Sequence, residues 1–219
     1  MHQESETPVH PALPAAATAR LAHLLSQRRR VLLGIAGPPG GGKSTLAEAL
    51  RAAAGGAAVV VPMDGFHLAN SELRRLGRRD RKGAPDTFDA AGYAALLRRL
   101  RGQSAGDAGA VVYAPEYRRE IEEAVAGAIA VHAATPLVIT EGNYLLLAEG
   151  AWTGVAGLLD ETWYVDGDEA LRVERLMLRH VQFGRSPEAA RAWVERSDEA
   201  NARLIAATRG RADRVFRWD

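Results

Sequence analysis

An apolar run, Val31-Leu32-Leu33-Gly34-Ile35-Ala36, leads into Gly37-Pro38-Pro39-Gly40-Gly41-Gly42-Lys43-Ser44, and a helix-forming stretch from Thr45 to Ala54 follows directly. This order of strand, glycine loop and helix constrains the fold more than any other part of the chain. Glycines let successive backbone N–H groups turn inward around an anion, and the helix adds the positive end of its dipole at the same point. In that context Gly37, Gly40, Gly41 and Gly42 predict a cradle for a polyphosphate, with Thr45 opening the helix beneath it. Lys43 reaches the β- and γ-phosphates, and the Ser44 hydroxyl can ligate Mg²⁺.

Lys43 and Lys82 are the only lysines among 28 Lys and Arg residues. A chain so inclined to arginine keeps lysine where a compact ammonium suits a phosphate. Lys43 has that reason in view. Lys82 is either a second such contact, to substrate or phosphate, or a solvated surface residue. The net charge of +1 gives no general reason to expect nucleic acid or an anionic membrane as partner. The chain has no cysteine, which excludes disulfide and thiolate chemistry. No apolar run approaches the ~20 residues of a membrane span, and the N-terminus lacks the basic and apolar regions of a secretory leader. A cytoplasmic protein acting on a small molecule is the expectation.

Residues 1–13 read as a flexible tail, and residues 14–219 as one domain. A helix is expected from about Ala15 to Arg28. Val59-Val60-Val61 makes a short buried strand. The polar, Arg-rich segment from Ala69 to Phe88 reads as a mobile insertion of the kind that carries binding. Asp89 caps a helix that ends at Gly102. Val111-Val112-Tyr113 predicts a strand before a Pro115-Glu116-Tyr117 turn, residues 118–127 are ambiguous, and 128–131 and 136–141 resemble two more strands. A strand at 162–165, helices over about 169–181 and 187–207, and a closing strand at 214–216 complete the pattern. Strands alternating with helices imply an α/β fold, a mostly parallel sheet with helices on both faces.

In such a sheet, sites assemble outside the carboxyl ends of the strands. Asp64 and Glu141 both fall there. Phosphoryl transfer to an alcohol needs a group to accept the hydroxyl proton. Asp64 is the candidate, because Gly65-Phe66-His67 and the polar insertion beyond could hold an acceptor. Glu141 then orients Mg²⁺ or its water shell, although the two roles could be exchanged, and either acid could merely cap a strand end. His67 is a candidate substrate contact or an ordinary loop residue. Arg172, Arg175 and Arg179 lie near one helix face. With Arg185 after Gly184 they suggest a short lid that closes over a triphosphate. Arg179 and Arg185 are its functional candidates, and Arg172 reads as solvated.

Together these residues resemble the phosphoribulokinase/uridine kinase family of P-loop kinases. The matching pieces are Gly37–Ser44, Met63-Asp64-Gly65-Phe66, Pro85-Asp86-Thr87-Phe88-Asp89, Pro115-Glu116-Tyr117, Ile139-Thr140-Glu141-Gly142, and Arg179 with Gly184-Arg185. The resemblance implies the P-loop NTPase/kinase fold with a five-stranded parallel core, ATP with Mg²⁺, and an acceptor hydroxyl near Asp64. It also implies that Asp86 contacts ribose hydroxyls and that Tyr117 lines the acceptor pocket. Uridine kinases have Asp-Ser-Phe-Tyr where this chain has Asp64-Gly65-Phe66-His67, and an aspartate where Arg118 stands. A nucleoside-like acceptor is one reading. Arg118 and Arg119 instead favour an acidic one, such as pantothenate or a phosphorylated sugar.

Other nucleotide-binding classes fit less well. A GTPase would carry an Asn-Lys-x-Asp signature, which the chain lacks, and a transporter ATPase would carry its own signature loop. A nucleotide-binding regulator without catalysis is the non-enzyme alternative; Asp64, Glu141 and the lid arginines together argue against it. A homodimer is common for enzymes of this size class.

Overall fold

The structure is a computed structural model and describes residues 12–103 and 109–217. The expected tail lies, apart from residues 12 and 13, outside the described residues. In chain order the elements are α1 (Ala15–Leu25), β1 (Val31–Ala36), α2 (Lys43–Ala53), β2 (Ala58–Val60), α3 (Asn70–Arg75), α4 (Ala90–Gly102), β3 (Val111–Arg118), β4 (Glu123–His132), β5 (Leu137–Glu141), β6 (Glu161–Asp166), α5 (Glu169–Gln182), α6 (Pro187–Trp193), α7 (Glu199–Ala206) and β7 (Arg214–Arg217).

Five strands form one sheet in the order β2-β5-β1-β6-β7, and every pairing in it is parallel. All six residues of β1 are buried, as the central strand of a sheet covered on both faces requires. Alternation along it divides two cores. Leu32 and Ala36 face a cluster with Tyr93, Leu97 and Trp152. Val31, Leu33 and Ile35 face another built with Leu21, Leu46 and Leu50. The helices that cover these faces bury residues at helical spacing, such as Tyr93, Leu96, Leu97 and Leu100 in α4. The side chain of Asp89 caps that helix by accepting from the Gly92 N–H. Among the described residues, no helix is long and apolar enough to cross a membrane.

Four local expectations are corrected. The Pro115–Tyr117 segment is not a turn but part of β3, which pairs antiparallel with β4 and carries an irregularity between Ala114 and Glu116. The 128–131 strand thereby belongs to a separate hairpin, outside the main sheet. The 69–88 segment is folded: Trp152 Nε1 donates to the Pro85 carbonyl at 3.0 Å, the Tyr144 hydroxyl donates to the Gly83 carbonyl, and α3 and two 3-10 turns fill its length. Its polar composition concealed these anchors because they are supplied by distant aromatic residues. The expected long helix over 187–207 is interrupted by a π-helical turn at Val194–Asp198; such turns lie mostly within otherwise α-helical sequence and frequently at functional sites.

Two packing details set the position of the site. Tyr93 Oη and Thr140 Oγ1 are 2.7 Å apart, and Thr140 Oγ1 donates to the Val61 carbonyl at 2.7 Å. These buried bonds tie α4 and β5 to the chain just before Asp64. Next to it, a Cβ on Gly65 would come within 2.4 Å of the Pro115 carbonyl oxygen. Only glycine lets β3 approach this closely, so the hairpin is seated directly against the turn that carries Asp64.

Candidate active site

The loop after β1, the 3-10 turn Met63–Phe66 after β2 and the end of β5 converge at the carboxyl edge of the sheet. The loop bends through Gly40, whose φ of 76° lies in the left-handed region. A Cβ there would stand 2.7 Å from the Arg172 carbonyl oxygen, so helix α5 rests against the loop itself. Arg172 is buried, donates to the Pro39 carbonyl at 3.4 Å and pairs with Glu199. The expected solvated Arg172 is thus a structural link between α5, α7 and the loop.

Lys43 is buried. Its ammonium donates to the Pro38 carbonyl at 3.0 Å and to Asn143 Oδ1 at 2.8 Å. Burial lowers its pKa to about 8, against the favourable fields of Glu141 and Asp64. Ser44 Oγ donates to Glu141 Oε1 at 2.9 Å. Burial, together with repulsion from Asp64, raises the Glu141 carboxyl above its ordinary range. Burial also pushes Asp64 up, but the fields of His67, Arg119, Lys43 and Arg179 outweigh it, and its carboxyl is held below the usual range. Two neighbouring acids with pKa values displaced in opposite directions suit two different roles.

The described residues contain no group of three or more His, Cys, Asp or Glu that could hold a metal ion. Ser44 and Glu141 are instead a small all-oxygen donor set. That fits Mg²⁺, which commonly takes one or two protein oxygens and completes its shell with water and substrate phosphates.

Asp64, Lys43, Ser44 and Glu141 line one cleft of about 1070 Å³ of open space. Arg179 and Arg185 line it from the lid side, and His67, Lys82 and Tyr117 from the other. His67 lies between the rings of Phe88 and Tyr117, with centroids at 4.0 and 4.6 Å. Its Nδ1 is 2.8 Å from the Asp64 carbonyl. Burial lowers its pKa, against the field of Asp64 and the hydrogen bond to its carbonyl. Arg185 stacks over Trp193 at 4.0 Å, and His180 Nε2 meets Asp198 Oδ2 at 2.7 Å across the lid.

Other residues named from the sequence lie elsewhere. Asp86 is exposed and paired with Arg81 and Arg78 outside the cleft lining. Arg118 points out of the cleft and pairs with Glu116, while its neighbour Arg119 lines the cleft. β3 ends at Arg118, and the chain turns at Arg119. Phe66 packs edge-on against Tyr93 in the core. Thr45 is exposed on the first turn of α2, outside the cleft lining. Asn143, Asp198 and Asn201 join the cleft without having been singled out. Asn143 had one signal, its place two residues beyond Glu141 at a strand end. A second recess lies across the loop, lined by Pro38, Gly41, Tyr164, Asp166 and Arg175 among others.

Comparison with known proteins agrees with this geometry. Residues 32–218 match the model of the "Phosphoribulokinase / Uridine kinase family". A candidate uridine kinase, C227.14, of Schizosaccharomyces pombe is 34% identical over 197 residues, covering 85% of this chain and 82% of that protein. A pantothenate kinase of Leifsonia xyli subsp. xyli is 30% identical over 222 residues, covering 89% and 67%. Among solved structures, a candidate fructose transport system kinase from Silicibacter sp. TM1040 superposes with a TM-score of 0.82 at 36% identity, covering 94% of this chain and all of that one. A phosphate loop at the switch point of a parallel sheet, two acids beyond neighbouring strands and this breadth of sequence match have one common reading: the chain is a P-loop kinase that belongs to the phosphoribulokinase/uridine kinase family.

Proposed function

We propose that the chain transfers the γ-phosphate of ATP to a hydroxyl of a small molecule held between Asp64 and the β3–β4 hairpin. The observation that carries this reading is the meeting of Lys43, Ser44, Glu141 and Asp64 in one cleft at the phosphate loop. Kinases of this family generally use ATP and Mg²⁺. The acceptor oxygen forms a bond to the γ-phosphorus while the bond from that phosphorus to the β,γ-bridging oxygen breaks, and ADP leaves carrying the bridging oxygen. Asp64 takes the proton of the attacking hydroxyl. The surrounding cations keep its carboxyl ionised, the form in which it can accept a proton.

Lys43, the loop amides, Arg179 and Arg185 answer the negative charge of the transferring group. Ser44 and Glu141 would hold Mg²⁺, which when bound neutralises phosphate charge. The lid from α5 to α6 excludes water, so that the γ-phosphate meets the acceptor hydroxyl instead. Nucleosides, pantothenate, sugars and sugar phosphates are the acceptor classes raised by the sequence and by the names of the relatives. An ADP-release screen with ATP and Mg²⁺ across these four classes tests the reading. Release that depends on one class supports it, and release independent of every acceptor contradicts it.

A further inference from the structure

The tip of the β3–β4 hairpin is locked in an unusual way. Glu122, with a φ of 50°, is the one non-glycine residue with positive φ among those described. Left-handed backbone at a non-glycine residue costs energy, and it persists where surrounding contacts enforce it. Here the Glu122 carbonyl accepts from Lys82 Nζ at 2.6 Å and from Asn70 Nδ2 at 3.0 Å. Its carboxylate accepts from Arg79 Nη2 at 3.1 Å. The neighbouring Glu123 carboxylate accepts from the Asn70 N–H at 3.1 Å. This bonding fixes the turn over the cleft and leaves Arg119 facing Asp64.

The tip carries cations and carboxylates in equal number, but they are not paired one to one. Lys43, Arg179 and Arg185 lie on the loop and lid, where they answer the donor's phosphates. Across the cleft stand Arg79, Lys82 and Arg119. Arg79 is matched by the Glu122 carboxylate. Among the described residues, Lys82 has only neutral partners in direct contact: the Glu122 carbonyl, the Asn70 amide oxygen at 2.8 Å and the Tyr117 ring face at 5.1 Å. Arg119 has, among the same residues, Asp64 as its one hydrogen-bond or ion-pair partner, at 3.5 Å, the limit of a hydrogen bond. Asp64 is the group that must receive the acceptor's proton. Glu122 and Glu123 act on Lys82 only through their field, and Asp64 no longer offers Arg119 a charge once it takes a proton. A neutral acceptor closing this half of the cleft would therefore strip water from two weakly matched cations.

We infer, on the reading of the chain as a kinase, that the acceptor carries an anionic group, a carboxylate or a phosphate ester, which seats against Arg119 and Lys82 at the hairpin tip while its hydroxyl meets Asp64. Tyr117 and His67 supply the flat wall against which the body of the acceptor lies. Arg119 and Lys82 are then specificity-determining residues. Arg119 offers a planar fork suited to either anion, and Lys82 a point charge beside it.

The test measures binding apart from turnover. The full chain, saturated with Mg²⁺ and a non-hydrolysable ATP analogue, is titrated calorimetrically with three panels: hydroxycarboxylates, sugar phosphates, and neutral nucleosides and sugars. The inference expects one of the two anionic panels to contain a ligand, and the panel that does distinguishes carboxylate from phosphate. Arg119→Ala, at a half-buried turn position, should weaken that ligand ~10–100-fold, with partial recovery in Arg119→Lys, and Lys82→Ala should weaken it similarly. Nucleotide affinity, measured on the same variants, should stay unchanged. Binding confined to neutral compounds, no binding from either anionic panel, or an anionic ligand indifferent to Arg119→Ala would each overturn the inference. Failure of the kinase reading appears separately, as an anionic ligand that binds but never accepts phosphate from ATP.

Discussion

Arg119 Nη2 lies 3.5 Å from Asp64 Oδ2, so the acid proposed to receive the acceptor's proton faces a cation from the hairpin tip. Arg119 reaches it from a turn that Asn70, Lys82 and Arg79 hold in place. Asp64 itself is set by the close contact of Gly65 with Pro115. Base and acceptor wall are therefore positioned by one unit, separate from the phosphate loop. Donor and acceptor functions should respond separately to mutation.

Asp64→Asn keeps the shape of the site and removes the proton acceptor. ATP affinity should stay within about twofold while kcat drops by ~10²–10⁴, the usual contribution of a positioned general base. Steady-state ADP release paired with nucleotide titration checks this, and near-normal kcat would take Asp64 out of the role.

Lys43 has a pKa lowered to about 8 because burial outweighs its neighbouring carboxylates. A bound polyphosphate favours the charged ammonium and raises that value. Binding of ATP near pH 8 should therefore take up ~0.5 proton, and the uptake should fade toward pH 6.5, where the free lysine is already charged. Calorimetry in buffers of different ionisation enthalpy measures the uptake directly. A heat independent of buffer at pH 8 would show that Lys43 does not answer the phosphates.

Arg185 stacks on Trp193 at the lid turn. Arg185→Ala should lower kcat ~10²-fold with little change in acceptor KM, since its charge acts on the transferring group. An effect confined to the acceptor KM would place Arg185 in the acceptor pocket.

Away from the site, Glu161 is buried at the start of β6. It accepts from Arg20, Arg214 and Trp163 Nε1 at distances of 2.5–3.0 Å. Burial raises its pKa, but hydrogen bonds from Arg20, Trp163 and Arg214 outweigh this and hold it below the ordinary value. A depressed folded pKa contributes stability above the unfolded value of about 4.5, and that contribution is lost as pH falls through the folded one. Glu161→Ala should cost about 3 kcal/mol at pH 7, at the lower end for a broken buried pair because Arg20 and Arg214 can turn to water. Urea denaturation across pH 3–7 checks both the loss and a flatter acid limb in the variant.

The phosphate loop, the parallel sheet, Asp64 and Glu141 were legible because each rests on local order: a strand, then a residue just beyond it. Arg179, Arg185, His67, Lys82 and Tyr117, named from the sequence, line the same cleft. The sequence does not separate Arg118 from Arg119, because only the fold shows that β3 ends at Arg118, paired with Glu116, and that Arg119 opens the turn toward Asp64. Asp86 carries its family likeness in a motif, but Arg78 and Arg81 draw its side chain outward. Asn143, Asp198 and Asn201 depend on the meeting of distant elements, which spacing does not encode. The fold of the 69–88 segment was illegible for the same reason: its anchors are Tyr144, Trp152 and Asn201.

The most direct measurement follows the γ-phosphate itself. The protein is incubated with Mg²⁺ and ATP labelled at the γ-position, in the presence of each hydroxyl-bearing acceptor class, and the products are separated. The label should appear in an acid-stable phosphate ester of one acceptor, with equimolar ADP, and should not appear there with Asp64→Asn. Label that stays in ATP, or emerges only as inorganic phosphate whatever acceptor is present, would contradict the assignment of this cleft to phosphoryl transfer onto an alcohol.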